Sequence, residues 1–360
     1  MTTCPALPVS PATLAVALCA LYGLAPGPAR AQHPEVPPST VVEGVDFLVY
    51  DARGRIRSFA DIFAALDRTD VVLVGETHDD VVAHGVEAQL LMRAAERVGG
   101  LGQGGGAERQ VVLSLEMFER DVQYILDEYL DGLITEDQFK RSARPWERYD
   151  TDYRPMVEFA RAHGLPVVAA NAPRRYVNRV TRLGPESLEA LSAEARAFLP
   201  PLPFPGPSEE YTAKWNALMA EMAAAMRARQ DSIARAAADS ASHPPPVEGQ
   251  PQRPARPEAP VNHGVGNALW AQALWDAAMG HAITTALDAH PGALVLHVAG
   301  SFHVEGGTGI PERVRDYRPR SRVLTVVLKP AEGIHAWDPE KHRDLGDFVV
   351  LTRRPPPVRG

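Results

Sequence analysis

Five short runs of apolar, largely β-branched residues constrain the fold of this chain more than any other feature. They lie at residues 71–74, 111–115, 166–170, 294–299 and 323–328. Each run is nearly all apolar rather than alternating, which is typical of parallel strands covered on both faces. Helical patterns lie between the runs; apolar residues recur at steps of four from Val82 to Val98. The sequence therefore predicts an α/β fold with a parallel sheet flanked by helices.

Three segments rich in glycine or proline divide the chain. Six of the eight residues 99–106 are glycine, five of the eight residues 200–207 are proline, and residues 241–262 contain seven prolines. Between the proline-rich segments, a helical pattern with spaced methionines predicts a smaller inserted helical subdomain. The predicted organisation is a leader (1–31), an α/β domain formed by 45–200 and 263–330, the helical subdomain (208–240), a flexible Pro-rich segment (241–262) and a C-terminal extension (331–360).

The amino-terminal residues 1–31 are typical of a secretory leader. An apolar stretch at 13–25 is followed by prolines and by an Ala-x-Ala cleavage motif that ends at Ala31. We therefore expect an exported protein, periplasmic or secreted, that is cleaved after Ala31. A lipoprotein is the weaker interpretation, because Leu18 rather than a small residue precedes Cys19. A disordered tail on a cytosolic protein is the alternative, since no Lys or Arg precedes the apolar stretch.

Charge and cysteine content exclude several classes of protein. The formal net charge is −8, which disfavours bulk binding of nucleic acid through its phosphates. No apolar run reaches the roughly 18 residues that a transmembrane helix needs. Cys4 and Cys19 both lie in the predicted leader, so the cleaved chain has no thiolate ligand. A metal ion or cofactor must then be held by His, Asp, Glu, Tyr or Met.

Polar residues follow several of the predicted strands where each strand ends. Glu76 and His78 follow the first run, Glu116 follows the second, and His303 follows the fourth. Ligands of open α/β sheets bind at this carboxyl edge, and imidazole with carboxylate is a ligand set for Zn, Fe or Mn. We therefore predict a metal site of these four residues, in which Glu116 is either a ligand or a general base. The alternative for each is a helix cap or a hydrogen-bonded core residue.

Five motifs follow one another along the chain: Gly-Glu-Thr-His (75–78), Leu-Glu-Met-Phe-Glu-Arg-Asp (115–121), Gly-Leu-Pro-Val-Val-Ala-Ala-Asn-Ala-Pro-Arg (164–174), Trp-Asp-Ala-Ala-Met (275–279) and Ala-Gly-Ser-Phe-His-Val (299–304). In this order they resemble a known family. The chain is similar over about residues 45–330 to the ChaN-like haem-binding uptake family of the Tiki superfamily, and more distantly to erythromycin-esterase-like proteins. The resemblance implies an α/β domain with a smaller helical subdomain and, in at least some members, a cofacial haem pair at a dimer interface. The chain departs from the family pattern in its Pro-rich segment and in Gly280.

The resemblance also implies roles for particular residues. The paired Gly-x-x-His motifs of the Tiki metal site correspond to His78 and His303, with Glu76 and Glu116 as acidic partners. A haem would also need an axial ligand, for which phenolate is one choice, and a group for its propionates. Packing and capping roles remain the alternative for these residues. The predicted haem or ligand pocket consists of His84, Tyr149, Tyr153, Asn171, Arg174 and Asp276.

Two functions from different classes remain open. In the first, the chain is an exported haem- or iron-binding protein, with haem, a small-molecule ligand or a second copy of itself as partners. In the second, it is a metal-dependent hydrolase, protease-like or esterase-like, in which a bound ion activates water and Glu116 or Glu76 transfers the proton. The expected cofactors are haem, a divalent transition metal ion (Zn, Fe or Mn), or both. A serine hydrolase is disfavoured, because Ser301 lacks the second glycine of a nucleophile elbow.

Overall fold

Eight strands form one mixed sheet in the computed structural model, which describes residues 40–101, 109–241 and 265–354. The predicted leader and residues 242–262 of the predicted Pro-rich segment lie outside the described residues. All five predicted strands are present, so the predicted α/β class is confirmed. The strands are β1 (Phe47–Asp51), β2 (Ile56–Arg57), β3 (Val71–Glu76), β4 (Val111–Glu119), β5 (Val167–Asn171), β6 (Leu294–Gly300), β7 (Val323–Ala331) and β8 (Phe348–Arg353).

The strand order is β2-β1-β8-β7-β3-β6-β4-β5. Strands β3 to β8 pair in parallel, whereas β1 pairs antiparallel with both β8 and β2. The predicted parallel sheet is therefore extended by an antiparallel edge. In the register of β3 and β6, Val74 lies opposite Val298 and Glu76 opposite Gly300. Three strands that carry predicted site residues, β3, β6 and β4, are thus neighbours.

The carboxyl-terminal residues contribute to the sheet. The predicted organisation set 331–360 apart from the α/β domain, but β8 lies between β7 and β1 in the sheet. Val349, Val350 and Leu351 are fully buried there. Their short apolar run had the pattern of the other strands, and residues 348–353 therefore belong to the α/β domain.

Helices cover both faces of the sheet because successive strand residues alternate between the faces. On β3, Val72 and Val74 share a core cluster with the helix Val81–Arg97, whereas Val71 and Leu73 share another with the helix Val265–Ala289. The apolar runs read from the sequence are therefore strands buried on both sides. The helices are α1 (Phe59–Leu66), α2 (Val81–Arg97), α3 (Gln123–Leu130), α4 (Glu136–Ala143), α5 (Tyr149–Asp152), α6 (Arg154–His163), α7 (Arg174–Leu183), α8 (Ala193–Arg196), α9 (Glu209–Ala241), α10 (Val265–Ala289), α11 (Ile310–Tyr317) and α12 (Pro339–His342).

The predicted helical insertion at 208–240 is one long helix, α9, of 33 residues. Its first turns pack on the domain: Tyr211 is buried, and Lys214 Nζ donates to the carbonyl of Phe302 at 2.6 Å. Further along, Met222 and Met226 are exposed. Among the described residues, no helix is long and apolar enough to cross a membrane.

Candidate functional site

The carboxyl ends of β3, β6 and β4 bring the predicted metal ligands to one edge of the sheet. Gly300, at the end of β6, lies between the other two strands. A Cβ at this position would come within 2.9 Å of His78 Nε2 and 3.7 Å of Glu116 Oε2. Glycine therefore leaves the space into which the imidazole of His78 extends. We call the group formed by His78, Glu116 and His303 around the Gly300 backbone the edge site.

A buried carboxylate holds the ring of His78. Glu76 Oε1 lies 2.8 Å from His78 Nδ1 and accepts a hydrogen bond from the Tyr153 hydroxyl at 2.6 Å. Burial alone would raise the pKa of Glu76, but the hydrogen bonds from His78 and His84 outweigh it and lower that pKa to about 2. Because the ionised Glu76 has no proton of its own, the proton of this hydrogen bond is on Nδ1 of His78. The Nε2 atom then faces the edge site, and the side chain is 47% exposed.

A second carboxylate–histidine pair lies on the other side of Gly300. His303 belongs to a short 3₁₀ turn, Ser301–His303, that directly follows β6, and its Nδ1 lies 2.7 Å from Asp276 Oδ1. Burial would lower the pKa of His303, but Asp276 and then Glu116 outweigh it and raise that pKa. His303 Nε2 faces Glu116 Oε1 at 4.0 Å. Glu116 is itself fixed, because its Oε2 accepts a hydrogen bond from the Gly300 N–H at 2.7 Å.

A third carboxylate–histidine pair is enclosed behind His78. His84, on α2, has Nε2 at 2.9 Å from Glu76 Oε2 and Nδ1 at 3.4 Å from Asp152 Oδ1. Glu87, three residues further along α2, completes a buried group whose ligand atoms all lie within 4.8 Å of one another. Burial, and next the charge of Glu76, raise the pKa of Glu87 well above its ordinary value. We call Glu76, His84 and Glu87 the closed cluster.

Sequence reasoning missed Glu87, Asp152 and Lys214. His84 and Glu87 are three residues apart on the helix that follows the Gly-Glu-Thr-His motif, a spacing that puts both on one helix face. That spacing was the available signal for Glu87. Asp152 and Lys214 come from separate parts of the chain, and no local pattern points to them.

The predicted haem-pocket residues have varied surroundings. Tyr153 lies behind the edge site and donates to Glu76. Tyr149 is buried beside Phe118 and Phe139, and its hydroxyl has no hydrogen-bond partner in the described structure. Burial raises the pKa of both phenols. The structure therefore does not bring either phenol to an open surface.

The remaining pocket residues divide between the interior and the surface. Asp276 is the partner of His303, and His84 belongs to the closed cluster. Asn171 is buried at the end of β5. Arg174 is exposed at the start of α7, where a guanidinium is free to meet an acidic group of a ligand.

The inserted helix α9 secures the turn that carries His303. Lys214 Nζ donates to the carbonyl oxygens of Phe302 at 2.6 Å and Glu305 at 3.0 Å. These acceptors flank His303 along the chain. Burial lowers the pKa of Lys214, although Asp276 and Glu305 act against that shift. The insertion thus contributes a residue that positions the edge site.

Two histidines of the edge site have the form of metal ligands. Histidine ligands usually donate their second ring N–H to a carboxylate, which fixes the ring and leaves the other nitrogen for the metal. His78 with Glu76 and His303 with Asp276 both have this form, and both Nε2 atoms face the surroundings of Glu116. Glu116 could also act as a general base. Among the described residues, its Oε1 atom has one ion-pair partner, His303 Nε2 at 4.0 Å, so this oxygen is available to accept a proton.

The fold and the edge site define an α/β protein with paired imidazoles and carboxylates at the carboxyl edge of its sheet. Residues 62–314 match the family described as haem-binding uptake, Tiki superfamily, ChaN. This match covers more than half of the chain, and the chain belongs to that family.

Individual relatives are distant. A solved structure described as cofacial heme binding to ChaN of Campylobacter jejuni has a TM-score of 0.57 and 16% identity, and covers 88% of this chain and 100% of that chain. Protein RETICULATA-RELATED 5, chloroplastic, from Arabidopsis thaliana is 24% identical over 230 residues, which are 62% of this chain and 27% of that protein. The chain thus spans about a quarter of this plant relative. An erythromycin esterase mutant in its open conformation has a TM-score of 0.39 and 12% identity, and covers 87% of this chain and 84% of that chain.

Proposed function

We propose that this protein binds iron, as haem or as a metal ion, at the edge site. One observation carries the proposal. His78 is half-exposed, its Nδ1 is held at 2.8 Å by the buried, ionised Glu76, and its Nε2 faces outward beside Gly300. An imidazole fixed in this way is prepared to donate its free nitrogen to a metal. Bound iron would supply the electron-accepting centre to which that nitrogen donates.

The remaining residues of the edge site would complete the binding surface. His303 Nε2 and Glu116 Oε1, 4.0 Å apart, supply a second imidazole and a carboxylate beneath His78. Trp146 packs its ring edge-on against His78, with centroids 4.9 Å apart, and offers apolar surface to a flat ligand. The exposed Arg174 is a candidate for a haem propionate.

Two comparisons support haem in particular. The family to which the chain belongs is described by haem binding, and the Campylobacter jejuni ChaN structure is described by cofacial heme binding. By analogy, we propose a homodimer of this chain as the haem-binding unit. We also propose export, with cleavage after Ala31, from the apolar stretch and the Ala-x-Ala motif in the sequence.

Metal-dependent hydrolysis is the second candidate. The fixed position of Glu116, with one oxygen on the Gly300 N–H and the other facing His303, favours it. In that function Glu116 would accept a proton from a water at the edge site, and the imidazoles would hold the ion that polarises that water.

Haem titration and metal analysis of the purified cleaved protein test the proposal. Ferric haem should give a saturable Soret shift in the wild type, and His78→Ala should weaken binding at least tenfold. His290→Ala is the matched control, because His290 precedes β6 at the opposite edge of the sheet. Unchanged haem binding in His78→Ala contradicts the iron-ligand role. Absence of any spectral change in the wild type, with ester or peptide hydrolysis lost in Glu116→Gln, favours the hydrolase.

A further inference from the structure

The closed cluster is built from ligating groups with no access to solvent. Glu76, His84 and Glu87 are 1%, 4% and 0% exposed. One ligand atom from each lies within 4.8 Å of the others. Glu76 and His84 come from β3 and the first turn of α2, and Glu87 follows one helical turn later. Strand and helix together fix all three side chains.

Both carboxylate oxygens of Glu87 are buried without a hydrogen-bond partner in the described structure. Glu76 Oε2 and the ring nitrogens of His84 are buried too, and their contacts are with each other at 2.9 Å and with Asp152 at 3.4 Å. Burying a carboxylate without partners is costly, and native proteins rarely do so. A common partner for all three residues would remove this cost.

The surroundings of the closed cluster favour a cation as that partner. Asp152 Oδ1 lies 3.4 Å from His84 Nδ1, so a carboxylate again stands behind an imidazole whose other nitrogen faces the cluster. Arg148 Nε pairs with Asp152 at 2.8 Å and offsets that charge. The carboxylates of Glu76 and Glu87 remain, side by side, in a buried space.

We propose that Glu76, His84 and Glu87 bind a divalent transition metal ion in a closed, structural site. One imidazole and two carboxylates are ligands that suit Zn²⁺ or Mn²⁺. Glu76 then joins the two sites: Oε1 holds His78 and Tyr153, and Oε2 faces the ion. An ion bound in the closed cluster would thereby fix the carboxylate of Glu76, which orients His78, regardless of the ligand of the edge site.

Elemental analysis of chelator-stripped protein reloaded with Zn²⁺ or with Mn²⁺ alone tests the site. We expect His84→Ala and Glu87→Gln to lose one metal equivalent relative to the wild type. The double variant His78→Ala/His303→Ala should keep that equivalent, which separates the closed site from the edge site. Glu158→Gln is the matched control, because Glu158 is a buried carboxylate on α6 outside the closed cluster.

Glu87→Gln also distinguishes a bound metal ion from the simpler case in which Glu87 is protonated. Glutamine has the shape of a protonated glutamate, so this variant should fold even where Glu87 is merely a neutral acid. With a bound ion, chelator lowers the melting temperature of the wild type and of Glu158→Gln, but not of Glu87→Gln. Wild-type metal content in folded Glu87→Gln, or a wild type that holds neither Zn²⁺ nor Mn²⁺, overturns the proposal. If His78→Ala loses haem binding but keeps the metal ion of the closed cluster, both proposals are supported. If His78→Ala still binds haem, the result contradicts the proposed role of the edge site and does not affect the closed cluster.

Discussion

Glu76 and Gly300 lie opposite each other in register at the carboxyl ends of the neighbouring parallel strands β3 and β6. Two residues after Glu76 comes His78, and three residues after Gly300 comes His303. The shared strand end therefore brings two imidazoles from distant parts of the sequence to one edge. Each is then held through Nδ1 by its own carboxylate, Glu76 or Asp276.

Gly300→Ala should disrupt the edge site with little effect on the fold. Gly300 has φ −56°, a conformation that alanine adopts freely, so the effect is steric. The added methyl group would meet His78 Cε1 and Nε2 at 2.9 Å and displace the ring. We expect haem or metal binding at the edge site to weaken at least tenfold, while stability falls by about 1–2 kcal/mol.

Haem titration and chemical denaturation measure these two effects of Gly300→Ala. Gly333→Ala is the control, since a Cβ there meets no atom within 4 Å. Equal binding by Gly300→Ala and Gly333→Ala is incompatible with a ligand role for His78 Nε2.

The positions of the central strands could be predicted from the sequence because each strand is buried on both faces and is nearly all apolar. The edge site followed, since polar residues at the ends of parallel strands share one edge. Strand order was not readable: β8 pairs with β7 and β1 through contacts between distant segments. Residues 349–351 have the same apolar pattern as the five runs, but their place between β7 and β1 depends on contacts with segments distant in sequence.

Glu87 and Lys214 were not predicted from the sequence for a different physical reason. A glutamate such as Glu87 within an amphipathic helix has the same local signature as a solvated surface charge. The packing of α2 against β3 and α6 buries it beside Glu76. Lys214 likewise lies on a helix that is largely exposed further along, and its contacts with residues 302 and 305 depend on how the insertion docks.

Tyr153→Phe and Tyr149→Phe should differ in stability. The Tyr153 hydroxyl donates to an ionised carboxylate, whereas the Tyr149 hydroxyl has no hydrogen-bond partner in the described structure. Loss of a hydrogen bond to a charged group costs about 1.5–3 kcal/mol, and removal of an unpaired hydroxyl is close to neutral. Urea denaturation of the two variants and the wild type measures the difference. Equal stability of the two variants would contradict the Tyr153–Glu76 hydrogen bond. Because both phenols are buried, haem addition should give no phenolate charge-transfer band in the wild type or in either variant.

Lys214→Met should weaken binding at the edge site through the position of His303. The ammonium group of Lys214 bridges the carbonyls of residues 302 and 305, and methionine keeps the apolar stem but removes both hydrogen bonds. We expect ligand affinity to fall several-fold and Lys214→Arg to restore part of it. Lys341→Met, at a highly exposed lysine, is the control. Wild-type affinity in Lys214→Met, measured by the same haem titration, would show that the turn holds its position without α9.

His297 should make the protein less stable in mild acid. Its ring is fully buried in β6 with Nδ1 at 2.8 Å from the Ser114 hydroxyl, and burial lowers its pKa to about 3 from an ordinary 6.5. The unfolded chain therefore binds a proton below pH 6.5 that the folded chain does not bind until about pH 3. The stability that this group contributes is complete above pH 6.5 and is lost progressively as the pH falls from there towards 3. Between pH 7 and pH 5 the loss should be about 2 kcal/mol.

His297→Gln tests this prediction, because glutamine keeps a hydrogen-bond partner for Ser114 but cannot titrate. Between pH 7 and pH 5 the free energy of unfolding of this variant should fall by about 2 kcal/mol less than that of the wild type, as measured by urea denaturation at the two pH values. The same pH dependence in the variant and the wild type would mean that folding does not change the pKa of His297.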